Sequence, residues 1–168
     1  MSALDRSKAE FCYQVCRALR ATRVVEAGTS FGVSTLFLAA AVRDNGVGVV
    51  VGTENESEKA KAARANFAEA GLSDFIHLRE GDLRETLVDV GGPVDFVLID
   101  IWTPMARPAL ELVAPFLRDG AVVICDNTTQ FPEAYRHYFE FVNDPVNRLR
   151  TMTLPFAGGL EFTVRVTA

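Results

Sequence analysis

The sequence predicts an α/β fold: a doubly wound, mostly parallel sheet with helices on both faces and an antiparallel hairpin at its C-terminal end. Three observations predict it. Short β-branched runs with few charges alternate with longer stretches of helical period, the pattern of strands covered on both faces. The first such run, Val24-Val25-Glu26-Ala27, passes through Gly28-Thr29-Ser30-Phe31-Gly32 directly into a helix. In an open parallel sheet that turn lies at the carboxyl end of a strand, where such folds bind ligands. Finally, Ala157-Gly158-Gly159 separates two strand-like segments and reads as a hairpin turn.

The elements follow in order. A helix is predicted over 5–20, with Phe11, Val15 and Leu19 on one face and Cys12 and Cys16 extending it. Strand one covers 22–27. The helix after the glycine turn buries Leu36, Phe37, Ala40 and Ala41 and stops near Asn45-Gly46. Strand two, 47–53, ends at Glu54, and a strongly helical stretch over 57–70 is closed by Gly71. Strand three is 75–79, followed by a short helix over 83–88. Strand four, 94–99, ends in Asp100. A helix over 107–116 leads through Arg118-Asp119-Gly120 to strand five, 121–125, which ends in Asp126-Asn127. An aromatic helix over 132–142 reads as core or as the face of a homodimer. Segments 149–154 and 160–166 form the hairpin. The whole, 1–168, reads as one domain with residues 1–21 as an N-terminal helix, and a chain of this length buries about two thirds of its unfolded surface.

The bulk composition excludes some classes. A hydrophobic content of 49% with 23% charged residues is an ordinary globular balance. A net charge of −5 argues against binding nucleic acid or an anionic membrane through bulk charge. The first residues are polar and mixed in charge, unlike a signal peptide, and no apolar run is long enough to span a bilayer. Cys12, Cys16 and Cys125 lack C-x-x-C spacing. An odd count without an export signal points to the reducing cytoplasm.

The chemistry collects at the strand ends. Gly28 allows a sharp turn and Gly32 a close approach, and the free N–H groups at the start of the following helix face the crevice. The spacing E-x-G-x-x-x-G lacks the middle glycine of a dinucleotide fingerprint, since Ser30 stands there. An acid two residues before the first glycine suits a ligand with a positive amino-acid end. Glu54, at the end of strand two, is placed to accept from both ribose hydroxyls of a nucleoside, or else is a helix N-terminal acid. Asp82 is placed either against an adenine amino group or as a helix N-cap. Asp100, Asp126 and Asn127 form an all-oxygen set suited to Mg²⁺, or else cap and turn the chain. His77 and His137 read as packed or surface residues.

Taken together, V-V-E-A-G-T-S-F-G-V-S-T, G-T-E-N-E, E-G-D-L, V-D-F-V-L-I-D-I-W, L-R-D-G-A-V-V-I-C-D-N and L-P-F-A-G-G-L-E-F-T-V resemble the class I S-adenosylmethionine-dependent methyltransferases. More narrowly, they resemble the cation-dependent O-methyltransferases related to catechol and caffeoyl-coenzyme A O-methyltransferase. The resemblance covers nearly the whole chain after Arg23 and implies a Rossmann-like fold. It implies that Glu26, Gly28, Ser30, Gly32 and Ser34 hold the methionine part of S-adenosylmethionine. It implies that Glu54 holds the ribose with Asn55 beside the adenosine, and that Asp82 and Leu83 border the adenine with Trp102 and Asp100 near the cofactor. It further implies that Asp100, Asp126 and Asn127 bind a divalent cation that activates a hydroxyl of a small phenol- or catechol-like acceptor.

Two departures are visible. Catechol enzymes of this family read D-H-W-K after strand four and use that lysine as a base. Here the run is Asp100-Ile101-Trp102-Thr103, and Thr103 cannot replace an amine. Family members also carry more helices before the first strand, which predicts an acceptor pocket that is more open, completed by another subunit, or degraded. The rival readings are a nicotinamide oxidoreductase, a cofactor-binding protein with weak or lost catalysis, and a metal-independent methyltransferase with another acceptor.

Overall fold

The computed structural model describes residues 2–167. The elements run α1 (Arg6–Leu19), β1 (Arg23–Ala27), α2 (Val33–Asp44), β2 (Val49–Glu54), α3 (Ser57–Glu69), β3 (Ile76–Glu80) and α4 (Leu83–Thr86). Then come β4 (Val94–Ile99), α5 (Ala106–Val113), β5 (Leu117–Asp126), α6 (Arg136–Asn143), β6 (Leu149–Leu154) and β7 (Leu160–Arg165). They build one seven-stranded sheet in the order β3-β2-β1-β4-β5-β7-β6. Strands β1 to β5 are mutually parallel. The predicted antiparallel hairpin is present, with β7 inserted between β5 and β6 and antiparallel to both.

Strand periodicity sorts the core into two layers, because alternate side chains point to opposite faces. Val25, Ala27, Val97, Ile99, Val123 and Cys125 face α4, α5 and α6, where they meet Leu87, Leu110, Val113 and Tyr138. Val24, Phe96, Leu98, Val122 and Ile124 face α1 and α2, where they meet Cys12, Cys16, Leu38 and Val42. Phe96 and Leu98 are fully buried, and each such side chain stabilises the fold by about 1.5–3 kcal/mol. Helix α3 packs through a smaller cluster of Ala60, Ala63 and Phe67 over Leu78 of β3. The aromatic helix joins the first layer, with Tyr135, Tyr138 and Val142 buried in the core.

Most boundaries shift by a residue or two, and three of the shifts have a clear local reason. Helix α5 ends at Val113 and tightens into a 3₁₀ turn over Ala114–Phe116, since Pro115 has no N–H to continue the helix. The aromatic helix opens with a 3₁₀ turn over Pro132–Tyr135 before α6. Strand β5 starts at Leu117, and the predicted Arg118-Asp119-Gly120 turn is an irregularity in its pairing with β4, between Val94 and Phe96. Arg118 is held there by Asp95 at 2.5 Å.

Candidate functional site

From β1 the chain proceeds outward to β2 and β3, and from β4 it proceeds the other way to β5. The carboxyl ends of β1 and β4 therefore flank a topological switch point, where this class of sheet opens a crevice. The two ends are locked together. Asp100 N–H donates to the Ala27 carbonyl at 3.0 Å, and Gly28 (φ +94°) lies so close to the Asp100 carbonyl that any Cβ would collide with it.

The loop after β1 is laid across β2 by a set of short polar contacts. Thr29 N–H donates to the Thr53 carbonyl at 3.0 Å. Ser30 adopts a left-handed conformation (φ +52°), and its N–H donates to Glu54 Oε2 at 2.6 Å. Glu26 lies fully buried beneath the loop. Its carboxylate accepts from Thr29 Oγ1 at 2.9 Å, from Ser34 Oγ at 2.6 Å and from the Thr35 hydroxyl. Burial pushes the Glu26 carboxyl up to about 7, against the opposing pull of the Ser34, Thr35 and Thr29 hydroxyls. Glu26 is thus the internal anchor of the loop. Gly32 also serves packing: its close neighbour is the Phe67 ring of α3, which occupies the space a side chain would need.

Beyond the loop opens a cavity of about 400 Å³, within the range of small-molecule sites. Of the residues predicted to hold a cofactor, Gly28, Ser30, Glu54, Asn55, Asp82, Leu83 and Trp102 line it. Glu54 stands at the mouth of β2 with Oε1 accepting from Glu56 N–H at 3.1 Å. Asp82 is an N-cap, accepting from Arg84 N–H at 2.9 Å and from the Arg84 guanidinium at 2.6 Å, which holds its carboxyl down at about 2. Trp102 is 68% exposed and forms a wall of the cavity. Thr53, Glu56, Lys59, Gly81, Ile101 and Met105 complete the lining; none of them was among the predicted cofactor-binding residues. Ser34 and Asp100 instead line a narrow adjoining space, where Ser2, Ala3 and Leu4 lie over Gly28 and Ser30.

The acidic strand ends converge as parity requires. Asp100 and Asp126 continue the alternation of Leu98 and Ile124, so with Glu26 they fall on the sheet face covered by α1. That helix contributes a residue the sequence reading missed. Lys8 is 2% exposed, and its Nζ lies 2.5 Å from Asp126 Oδ1. Lys8, Cys12 and Cys16 recur at helical spacing and are all buried; a lysine heading an otherwise apolar stripe was the available signal. Burial, then Asp126 and Glu26, push the Asp100 carboxyl up to about 7, and the Lys8 charge opposes the shift. Asn127 is turned toward the hairpin. It is left-handed (φ +61°), its N–H donates to the Gly159 carbonyl at 3.1 Å, and a Cβ on Gly158 would lie 2.6 Å from its Oδ1. His77 and His137 are exposed and outside the crevice.

The cavity fits a nucleoside cofactor: Glu54 offers a carboxylate at its rim, Trp102 a flat face, and the tight turn at Gly28 leaves the loop backbone on its wall. The acidic ends do not fit a divalent ion with Lys8 in place, because Asp126 Oδ1 already holds an ammonium and Asn127 packs on the hairpin turn. Among the described residues, no three His, Cys, Asp or Glu side chains are gathered as a metal cage.

A methyltransferase domain family matches residues 25–128. The chain is 32% identical over 126 residues to a catechol O-methyltransferase of Mycobacterium tuberculosis, covering 74% of this chain and 56% of that protein. It is 28% identical over 129 residues to a catechol O-methyltransferase of Niastella koreensis, covering 74% of this chain and 58% of that protein. The chain thus spans a little over half the length of these curated relatives. Among solved structures, cofactor-bound Rv0187 from MTB superposes with a TM-score of 0.90 at 26% identity, covering 99% of this chain and 83% of that one. An O-methyltransferase from Bacillus cereus in complex with SAH shares the fold, with a TM-score of 0.86 at 24% identity over 97% of this chain and 82% of that one.

Proposed function

We propose, for a chain that belongs to the methyltransferase domain family, that it transfers a methyl group from S-adenosylmethionine to a hydroxyl of a small phenol- or catechol-like acceptor. The observation that carries this reading is the cavity of about 400 Å³ at the β1–β4 switch point, lined by Gly28, Ser30, Glu54, Asn55, Asp82, Leu83 and Trp102. When bound, the cofactor supplies a methyl group carried on a sulfonium. The chain does the rest by placement. Glu54 accepts from the ribose hydroxyls, and Asn55 lies beside the adenosine. Asp82 and Leu83 border the adenine, and Trp102 covers it. Gly28, Ser30 and Ser34 shape the seat of the methionine part, with Glu26 fixing the loop from beneath. The Glu54 carboxylate at the cavity rim favours a cationic ligand. Because charge is cancelled in the transition state, holding cofactor and acceptor in line at about 3 Å is the main task of such a site. The three cysteines are free and buried, which suits the reducing cytoplasm. No helix among the described residues is long and apolar enough to cross a membrane.

The discriminating experiment compares ligands. S-adenosylhomocysteine should raise the melting temperature by several degrees and NAD should not; the opposite ranking would return the chain to the oxidoreductases. Transfer of a labelled methyl group to a panel of catechols and phenols then separates an enzyme from a protein that only binds the cofactor. A cation-assisted version, with Mg²⁺ on Asp100, Asp126 and Asn127, does not fit the site while Lys8 holds Asp126. The adjacency of β4 and β5 brings Asp100 beside Asp126, but such a version requires Lys8 to leave Asp126. Loss of turnover in chelator is its signature.

A further inference from the structure

The most unusual buried group in the molecule is Lys8. It is the only lysine or arginine among the described residues that is buried. A lysine taken out of water in this way is retained only with a close counter-charge, and its partner, Asp126, is itself only 6% exposed. The position of the pair is informative. Asp126 lies at the end of β5 and Asp100 at the end of its neighbour β4. Strand parity turns both toward α1, and the Lys8 charge is felt at Asp100 as well. Two carboxylates at adjacent strand ends form the arrangement into which a hard cation would fit. In this chain an ammonium from α1 stands there instead.

We propose that Lys8 is the resident cation of the crevice: its ammonium, paired with Asp126 beside the strand end that carries Asp100, takes the place of a divalent ion, so that the folded protein takes up no Mg²⁺ or Mn²⁺ there. The chain then brings its own positive charge to the acceptor side of the cleft. It does so from a helix that precedes β1, whereas Thr103, in the run that follows β4, is uncharged. The proposal rests on the crevice being the methyl-transfer site, but its test uses the metal alone. Failure here therefore leaves S-adenosylhomocysteine binding, measured separately, untouched.

The experiment titrates Mn²⁺ into the full chain and follows free ion by electron paramagnetic resonance, with melting temperature as a second readout. The wild-type chain should bind no Mn²⁺ in the low-millimolar range. Lys8→Met should melt at a lower temperature, because it leaves buried carboxylates unpaired. It should also acquire one Mn²⁺ site that restores the lost stability. The double variant Lys8→Met/Asp126→Asn should lose that site again. If Lys8→Met does not fold, Lys8→Gln carries the same comparison with a side chain that still donates a hydrogen bond. Binding of Mn²⁺ by the wild-type chain, abolished by Asp126→Asn, would overturn the proposal, since the lysine would then be displaceable. Absence of binding in both wild type and lysine variants would overturn it equally, because the two carboxylates would not be a cation seat.

Discussion

Glu54 carries two tasks with one carboxylate. One oxygen steadies the loop through Ser30 N–H and the other accepts from Glu56 N–H, while the group as a whole faces the cavity. Hydrogen bonds to a charged acceptor contribute about 1.5–3 kcal/mol, so Glu54→Ala should weaken S-adenosylhomocysteine binding by roughly 10- to 100-fold. Calorimetry checks this, and an unchanged affinity would remove Glu54 from the site. At this scale the sequence was readable wherever a residue acts through its own place on a strand end. Glu54, Asp82 and Trp102 line the cavity because strand ends point there whatever the packing details. It was silent on Lys8, whose role depends on how α1 docks across the sheet. It showed that Gly32 permits a close approach but not by what, and the neighbour is Phe67 of the protein's own α3.

At the scale of elements, the existence of the strands followed from β-branched runs, because a strand buried on both faces has little freedom in composition. β4 runs over Val94–Ile99 as predicted. The helix ends were less legible, since Pro115 and Pro132 act on hydrogen bonds that a periodicity does not show. The docking of α3 gives the sharpest test of an element. Its core is small, and Gly32 seats the start of α2 directly against it. Gly32→Ala meets both a left-handed backbone (φ +87°) and the Phe67 ring. Gly46→Ala meets a similar backbone (φ +100°) with nothing within 4 Å. Backbone strain alone costs about 1–2 kcal/mol, and overpacking adds about 1–3 kcal/mol. Urea unfolding should therefore show Gly32→Ala clearly less stable than Gly46→Ala. Equal losses would mean that Phe67 yields without cost.

Over the whole molecule, charge is distributed so that acid and base act on different parts of the fold. At the amino end of β4 burial raises the Asp95 carboxyl, but the Arg23 and Thr22 N–H groups and the Arg118 guanidinium more than offset this and hold it below its usual range. Its contribution to stability is present above its unfolded pKa and is lost as pH falls. The crevice side behaves the other way. Glu26 ionises at about 7 when folded, against 4.5 for the ordinary side chain. Between those values the folded protein holds a proton that the unfolded chain releases. The stability from this group is therefore complete below about pH 4.5 and is lost as pH rises through 7. Glu26→Gln fixes the neutral form while keeping the shape. At pH 5 the wild-type carboxyl is mostly protonated and the two proteins should melt at similar temperatures, apart from a constant offset for the rearranged hydroxyls of Thr29, Ser34 and Thr35. At pH 8 the wild type carries an uncompensated charge beneath the loop, and the variant should gain on it by several degrees. Melting curves of the two apo proteins from pH 5 to 8 measure that gain directly. A difference that stays flat across the range would show that the carboxylate is ionised throughout, and that the loop after β1 is stabilised by a charge rather than by a buried acid.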